Sequence, residues 1–198
     1  MKSFSRRTKL LLFFGFIVVG TYLAITLARS FGGGVPTAFS EARMQGALIA
    51  QNIVDTSNKS VSDLEQINKF DKEGNFTEAL NLITVEVSRS QDIRDQAVKL
   101  SAELEKMTTA LSGLKSFEAR QAALEAIGNH LSLISRLVNY SGYLGRLLEV
   151  LRNRFVGNFS DSERVTDLVN RINAEVKAIN DFNAQAEEAI GRFDKLVN

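Results

Sequence analysis

Few side chains in this chain of 198 residues can do chemistry, and their spacing assigns them none. His130 is the single histidine. One imidazole among scattered carboxylates falls short of the three or four ligands of a zinc site, and no serine, histidine and carboxylate set can be assembled around it. The complete lack of cysteine removes thiolate nucleophiles, thiolate metal sites and disulfides. No glycine-rich phosphate loop occurs. Arg136, Arg146, Arg152 and Arg154 gather enough positive charge to hold an anion. They stand toward the C-terminal end of one predicted helix, where the helix dipole favours cations in any case. Sequons at Asn58, Asn75, Asn139 and Asn158 would carry glycans only in a eukaryotic secretory pathway, and Asn139 falls in mid-helix. These residues predict a non-enzymatic protein with no metal and no cofactor.

The elements that would position them begin with a membrane anchor. Residues 10–28 are uncharged and apolar, with Leu10, Phe13, Phe14, Ile17, Val18, Tyr22 and Leu27 along their length. A helix of about 20 residues crosses a ~30 Å hydrocarbon core, and this run nearly reaches that length. Lys2, Arg6, Arg7 and Lys9 precede it without an acid. Positive charge stays inside, so residues 1–9 form a cytoplasmic tail, residues 10–28 a signal-anchor helix in the lipid bilayer, and the remainder lies outside. A cleavable signal peptide has a shorter apolar stretch. A twin-arginine signal is echoed by Ser5-Arg6-Arg7, but Lys9 stands where a large apolar residue is usual. The reading is a single-pass cell-membrane protein with its C-terminal domain extracytoplasmic.

Charge separates the two parts. Five of the 24 basic residues lie in residues 1–29, leaving 19 against 23 acidic ones beyond them, a net of −4. That balance excludes nucleic acid as the partner of the outer domain. A single proline, no tryptophan and abundant Ala, Leu, Glu and Arg point to an all-α domain.

Residues 29–36, with Gly32-Gly33-Gly34 and Pro36, form a glycine-rich spacer. Residues 37–198 then read as a helical bundle. A first helix spans about 37–72, carrying Ile49, Ile53, Leu64 and Ile67 with small Gly46 and Ala50 on one side, and its stripe is weakest at 56–60. Gly74-Asn75 ends it. A second covers about 76–111, with Ala79, Ile83, Ile93, Ala97, Leu100, Leu104 and Met107 on its apolar face, before Ser112-Gly113. A third covers about 116–155, striped by Leu124, Ile127, Leu131, Ile134, Val138, Leu148, Leu151 and Phe155. Ser160-Asp161-Ser162-Glu163 is a capping box opening the fourth. There Val165, Ile172, Ile179, Ala186 and Phe193 hold one heptad position and Leu168, Phe182, Ala189 and Leu196 the other, with Glu175 the single lapse. Four such helices joined by short turns favour an antiparallel up-down bundle.

The third helix has more apolar surface than one neighbour requires, since Leu133, Leu137, Leu147 and Val150 lie beyond its stripe. Its 131–151 stretch has membrane-like length, but Arg136, Arg146 and Glu149 oppose insertion. Either this helix contacts two neighbours inside the bundle, or it carries an interface. Arg136, Tyr140, Tyr143, Leu147 and Arg154 share a face at helical spacing, and Tyr and Arg are enriched at interfaces, so these five are the candidate contact residues.

The turn at 74–80 resembles the middle of a tetratricopeptide repeat, but no second copy follows one period later. The layout of one anchor and a long helical bundle is similar to that of bacterial LemA-type proteins and chemoreceptor sensor domains, which implies a fold and no chemistry. The expected function is therefore a membrane-anchored adaptor or scaffold that meets a protein partner or copies of itself. A small-ligand sensor and a plain spacer are the alternatives.

Overall fold

The computed structural model describes residues 35–157 and 162–197. They form four long helices: α1 (Thr37–Glu73), α2 (Phe76–Ala110), α3 (Phe117–Phe155) and α4 (Ser162–Val197), with a 3-10 turn at Leu111–Gly113. No strand occurs among the described residues. The all-α expectation therefore holds, and the first three helices start and stop within a residue or two of the positions predicted. Residues 10–28, with Leu10, Phe13, Phe14, Ile17, Val18, Tyr22 and Leu27, lie outside the described residues, as does Ser160 of the expected capping box. No described helix is long and apolar enough to cross a membrane.

The turns explain the boundaries. Gly74 ends α1 in the left-handed region at φ 73°. The Asn75 N–H reaches back to the Phe70 carbonyl at 2.9 Å and the Gly74 N–H to that of Asp71 at 3.3 Å, which satisfies carbonyls the helix leaves open. Between α2 and α3, Gly113 is required by contact: a Cβ there would sit 2.7 Å from Cγ of Pro36. α3 opens on Ser116, whose hydroxyl accepts the Ala119 N–H at 3.1 Å.

The helices run alternately up and down, each packed on the next in sequence. α1 and α4 meet at the end where the chain enters α1. There the rings of Phe39 and Phe193 lie 5.1 Å apart, and Arg43 grips both carboxylate oxygens of Asp194 at 2.6 and 2.9 Å. At the opposite end Phe76 stacks on Phe155 at 5.5 Å, and Arg154 pairs with Asp71 at 3.0 Å. One continuous apolar core joins all four helices.

Two weak places in the sequence pattern sit inside this core. The 56–60 stretch does not interrupt α1; Ser57 and Ser60 are wholly buried. Close by in sequence, Asp63 of α1 shares Arg89 with buried Glu86 of α2. Glu175, the lapse in the last heptad, is buried too. It accepts from the Asn139 amide at 3.4 Å and lies 3.5 Å from the Arg136 guanidinium. Glu175 is tolerated there because the adjacent helix supplies a charge of opposite sign.

Candidate functional site

α3 belongs to the core on one side and to solvent on the other, and the structure redistributes the five candidate contact residues between them. Tyr140 is 1% exposed and Leu147 3%, so both face neighbouring helices. Burial pushes the Tyr140 phenol well above its ordinary range. Arg154 is committed to Asp71 of α1, and Arg136 lies against Glu175 of α4. Tyr143 is half-buried, flanked by the guanidiniums of Arg146 and Arg171 at 5.9 and 5.7 Å from its ring. The expectation of one open face over these five is corrected: the extra apolar surface of residues 133–150 serves two neighbours inside the bundle. Periodicity along one helix shows that a side chain is apolar enough to be buried, not which neighbour buries it.

A second correction exposes a surface that the periodicity had assigned to the core. Leu124 and Leu131 are 51% and 45% exposed, and Phe117 is 65% exposed. These three are seven residues apart on α3. Offset by four from each stands a short or polar residue, also exposed: Gln121, Gly128 and Ser135. Positions 117, 121, 124, 128, 131 and 135 thus repeat at four and three, the spacing by which one helix seats another. Gly128 has open space where a side chain would project, so another backbone can come close. The inward repeat of the same helix, through Ala119, Ala122, Ala123, Ala126 and Ile127, is already occupied by the core. α3 therefore carries two seams, one used and one open. The signal that could have found the open one is its alternation of large and small residues, which a core-facing stripe does not need.

The remaining groups with chemical potential are dispersed. His130 turns inward, its Nδ1 2.9 Å from the Ala126 carbonyl oxygen. Burial lowers its pKa, the Ala126 carbonyl offsets part of that, and the Arg43 charge lowers it a little further. Arg152 is exposed while Arg154 is half-buried, and the predicted arginine cluster does not converge on a single pocket. No group of three metal-ligating side chains occurs among the described residues. No protein-family model matches the chain. Searches of curated proteins and of solved structures likewise find no match.

Proposed function

We propose that this chain is a non-catalytic interaction module of the cell envelope, held in the membrane by residues 10–28 and joined to a second copy of itself through the outer seam of α3. The observation that carries this reading is the open four-and-three repeat of Phe117, Leu124 and Leu131 with Gln121, Gly128 and Ser135. Burying such a row between two helices removes each large side chain from water, worth about 1.5–3 kcal/mol apiece when burial is complete.

The tether selects the partner. Copies anchored in one bilayer stand side by side with their α3 helices running the same way, so identical seams meet at the same height. A two-fold interface of this kind needs no second gene product, only a patch that complements itself. The approach is closest at Gly128, with Leu124 and Leu131 gripping on either side.

The test is co-capture of two differently tagged full-length copies expressed together. Leu124→Glu with Leu131→Glu should reduce recovery of the second tag by about tenfold or more, about 1.4 kcal/mol. Helicity should be unchanged, because neither residue is part of the core. Undiminished co-capture by the double variant would overturn the self-pairing.

A further inference from the structure

A small cavity lies within the bundle, and side chains from all four helices line it. Its volume is about 60 Å³. One water-sized occupant needs about 10–15 Å³ on this measure, so the space holds roughly four non-hydrogen atoms. Most of the wall is apolar, formed by Ala47 and Ala50 of α1, Leu100, Leu104 and Met107 of α2, and Ile190 of α4. The polar lining is Arg43, His130, Asn183 and Glu187.

These polar groups are unevenly matched. The Asn183 side chain is nine-tenths buried or more, at 5% exposure. Its amide Nδ2 donates to Glu187 at 2.6 Å, while its Oδ1 is buried with no hydrogen-bond partner. A buried acceptor left in that state costs about 1–3 kcal/mol, so its presence needs a reason. His130 adds a second acceptor. A carbonyl can only accept, so Nδ1 beside the Ala126 oxygen carries the proton and Nε2 of the neutral ring keeps its lone pair. Arg43 brings a positive charge, but both of its terminal nitrogens are held by Asp194. The Glu187 carboxylate has no cation paired to it among the groups lining the cavity. With Arg43 committed to Asp194, acceptors are in surplus and Glu187 is the charge in the lining left without a counter-ion, within apolar walls.

From this surplus we infer that the cavity is a binding site for a small primary alkylammonium, its head on Asn183 Oδ1, Glu187 and His130 Nε2 and a tail of about three carbons against Ala50, Leu104 and Ile190, the size set by the roughly four-atom space. A primary ammonium has three donors on a compact cation, which matches three acceptors. An anion is refused by Glu187, and a bulky quaternary ammonium by the volume. The inference is independent of the α3 seam, since none of the cavity residues belongs to it.

The sole histidine makes the test clean. Full-length protein in nanodiscs is titrated with propylammonium, propanol or propionate while the His130 ring resonances are followed by NMR. Propylammonium should move them saturably and raise the melting temperature, since a ligand that binds only the folded state stabilises it. Propionate should do neither, and propanol should bind at least tenfold more weakly. Glu187→Gln keeps the shape and removes the charge, so it should weaken propylammonium tenfold or more. Ala50→Leu should fill the space and abolish the response. Equal responses to propylammonium and propanol would show that no ammonium is selected, and no response to either would show that the cavity holds water only; each would overturn the inference.

Discussion

α2 and α3 are both interior partners, each packed on two neighbours, yet they spend their apolar residues differently. Every buried residue of α2 falls on one unbroken alternation of four and three: Ala79, Ile83, Glu86, Ser90, Ile93, Ala97, Leu100, Leu104 and Met107. Its exposed valines, Val85 and Val98, are thirteen residues apart and form no row. α3 buries a wider arc and then repeats large side chains on its open face at Phe117, Leu124 and Leu131. One seam is enough to hold a helix in a bundle. A second one contributes nothing to the fold and leaves apolar area facing water, which the proposed pairing would bury.

If that contrast is right, equal truncations on the two faces of α3 will have very different consequences. Leu144→Ala, at a residue with no exposure, should cost about 2–5 kcal/mol of stability in urea unfolding. Leu124→Ala, twenty residues earlier on the same helix and half exposed, should stay within about 0.5 kcal/mol when measured on dilute, unpaired chains, as surface substitutions do. Similar losses at both would show that the outer seam is part of the core after all.

A smaller effect sharpens where α3 passes from one face to the other. His130 has its pKa lowered mainly by burial, so the folded chain resists a proton that the unfolded chain accepts near pH 6.5. Stability should be insensitive to this group at pH 7.5 and should fall as pH drops below about 6.5 toward the lower folded value. Arg43 of α1 and Glu187 of α4 face the same cavity, while α2 presents only Leu100, Leu104 and Met107 to it. Glu187 acts in the opposite sense: burial raises its pKa, so it takes up a proton early in the folded state and its contribution grows as pH falls toward its unfolded value. The urea midpoint of the wild type should therefore drop between pH 7.5 and 6, and His130→Asn should flatten that drop.

Much of the architecture was legible because its punctuation is chemical. Gly74 supplies a left-handed residue, Gly113 makes room for Pro36, and each marks a helix end from sequence alone. The site was less legible. Leu124 and Leu131 share their spacing with residues of the core, so a stripe that includes them looks like any other, and only the packed neighbours reveal that they are left out. Tyr140 erred in the other direction: an aromatic with a polar tip suits an interface and a core equally well. Glu175 looked like an interruption because a linear pattern cannot show Arg136 on the next helix, and Ser57 and Ser60 looked like others although both are buried. The cavity was foreshadowed only by Gly46 and Ala50, whose small side chains leave the space that His130 and Asn183 border.

The most direct test of the paired seam uses the absence of cysteine. Single cysteines placed one at a time along residues 117–135 of the full-length protein, and at Ala184 on the exposed side of α4 as reference, are oxidised in intact membranes. A disulfide forms only where Cα atoms come within about 4.4–6.8 Å. Paired α3 helices predict disulfide dimers that peak at 117, 121, 124, 128, 131 and 135, fade between them, and are absent at Ala184→Cys. A flat profile, or dimers as strong from Ala184→Cys as from Gly128→Cys, would contradict the account.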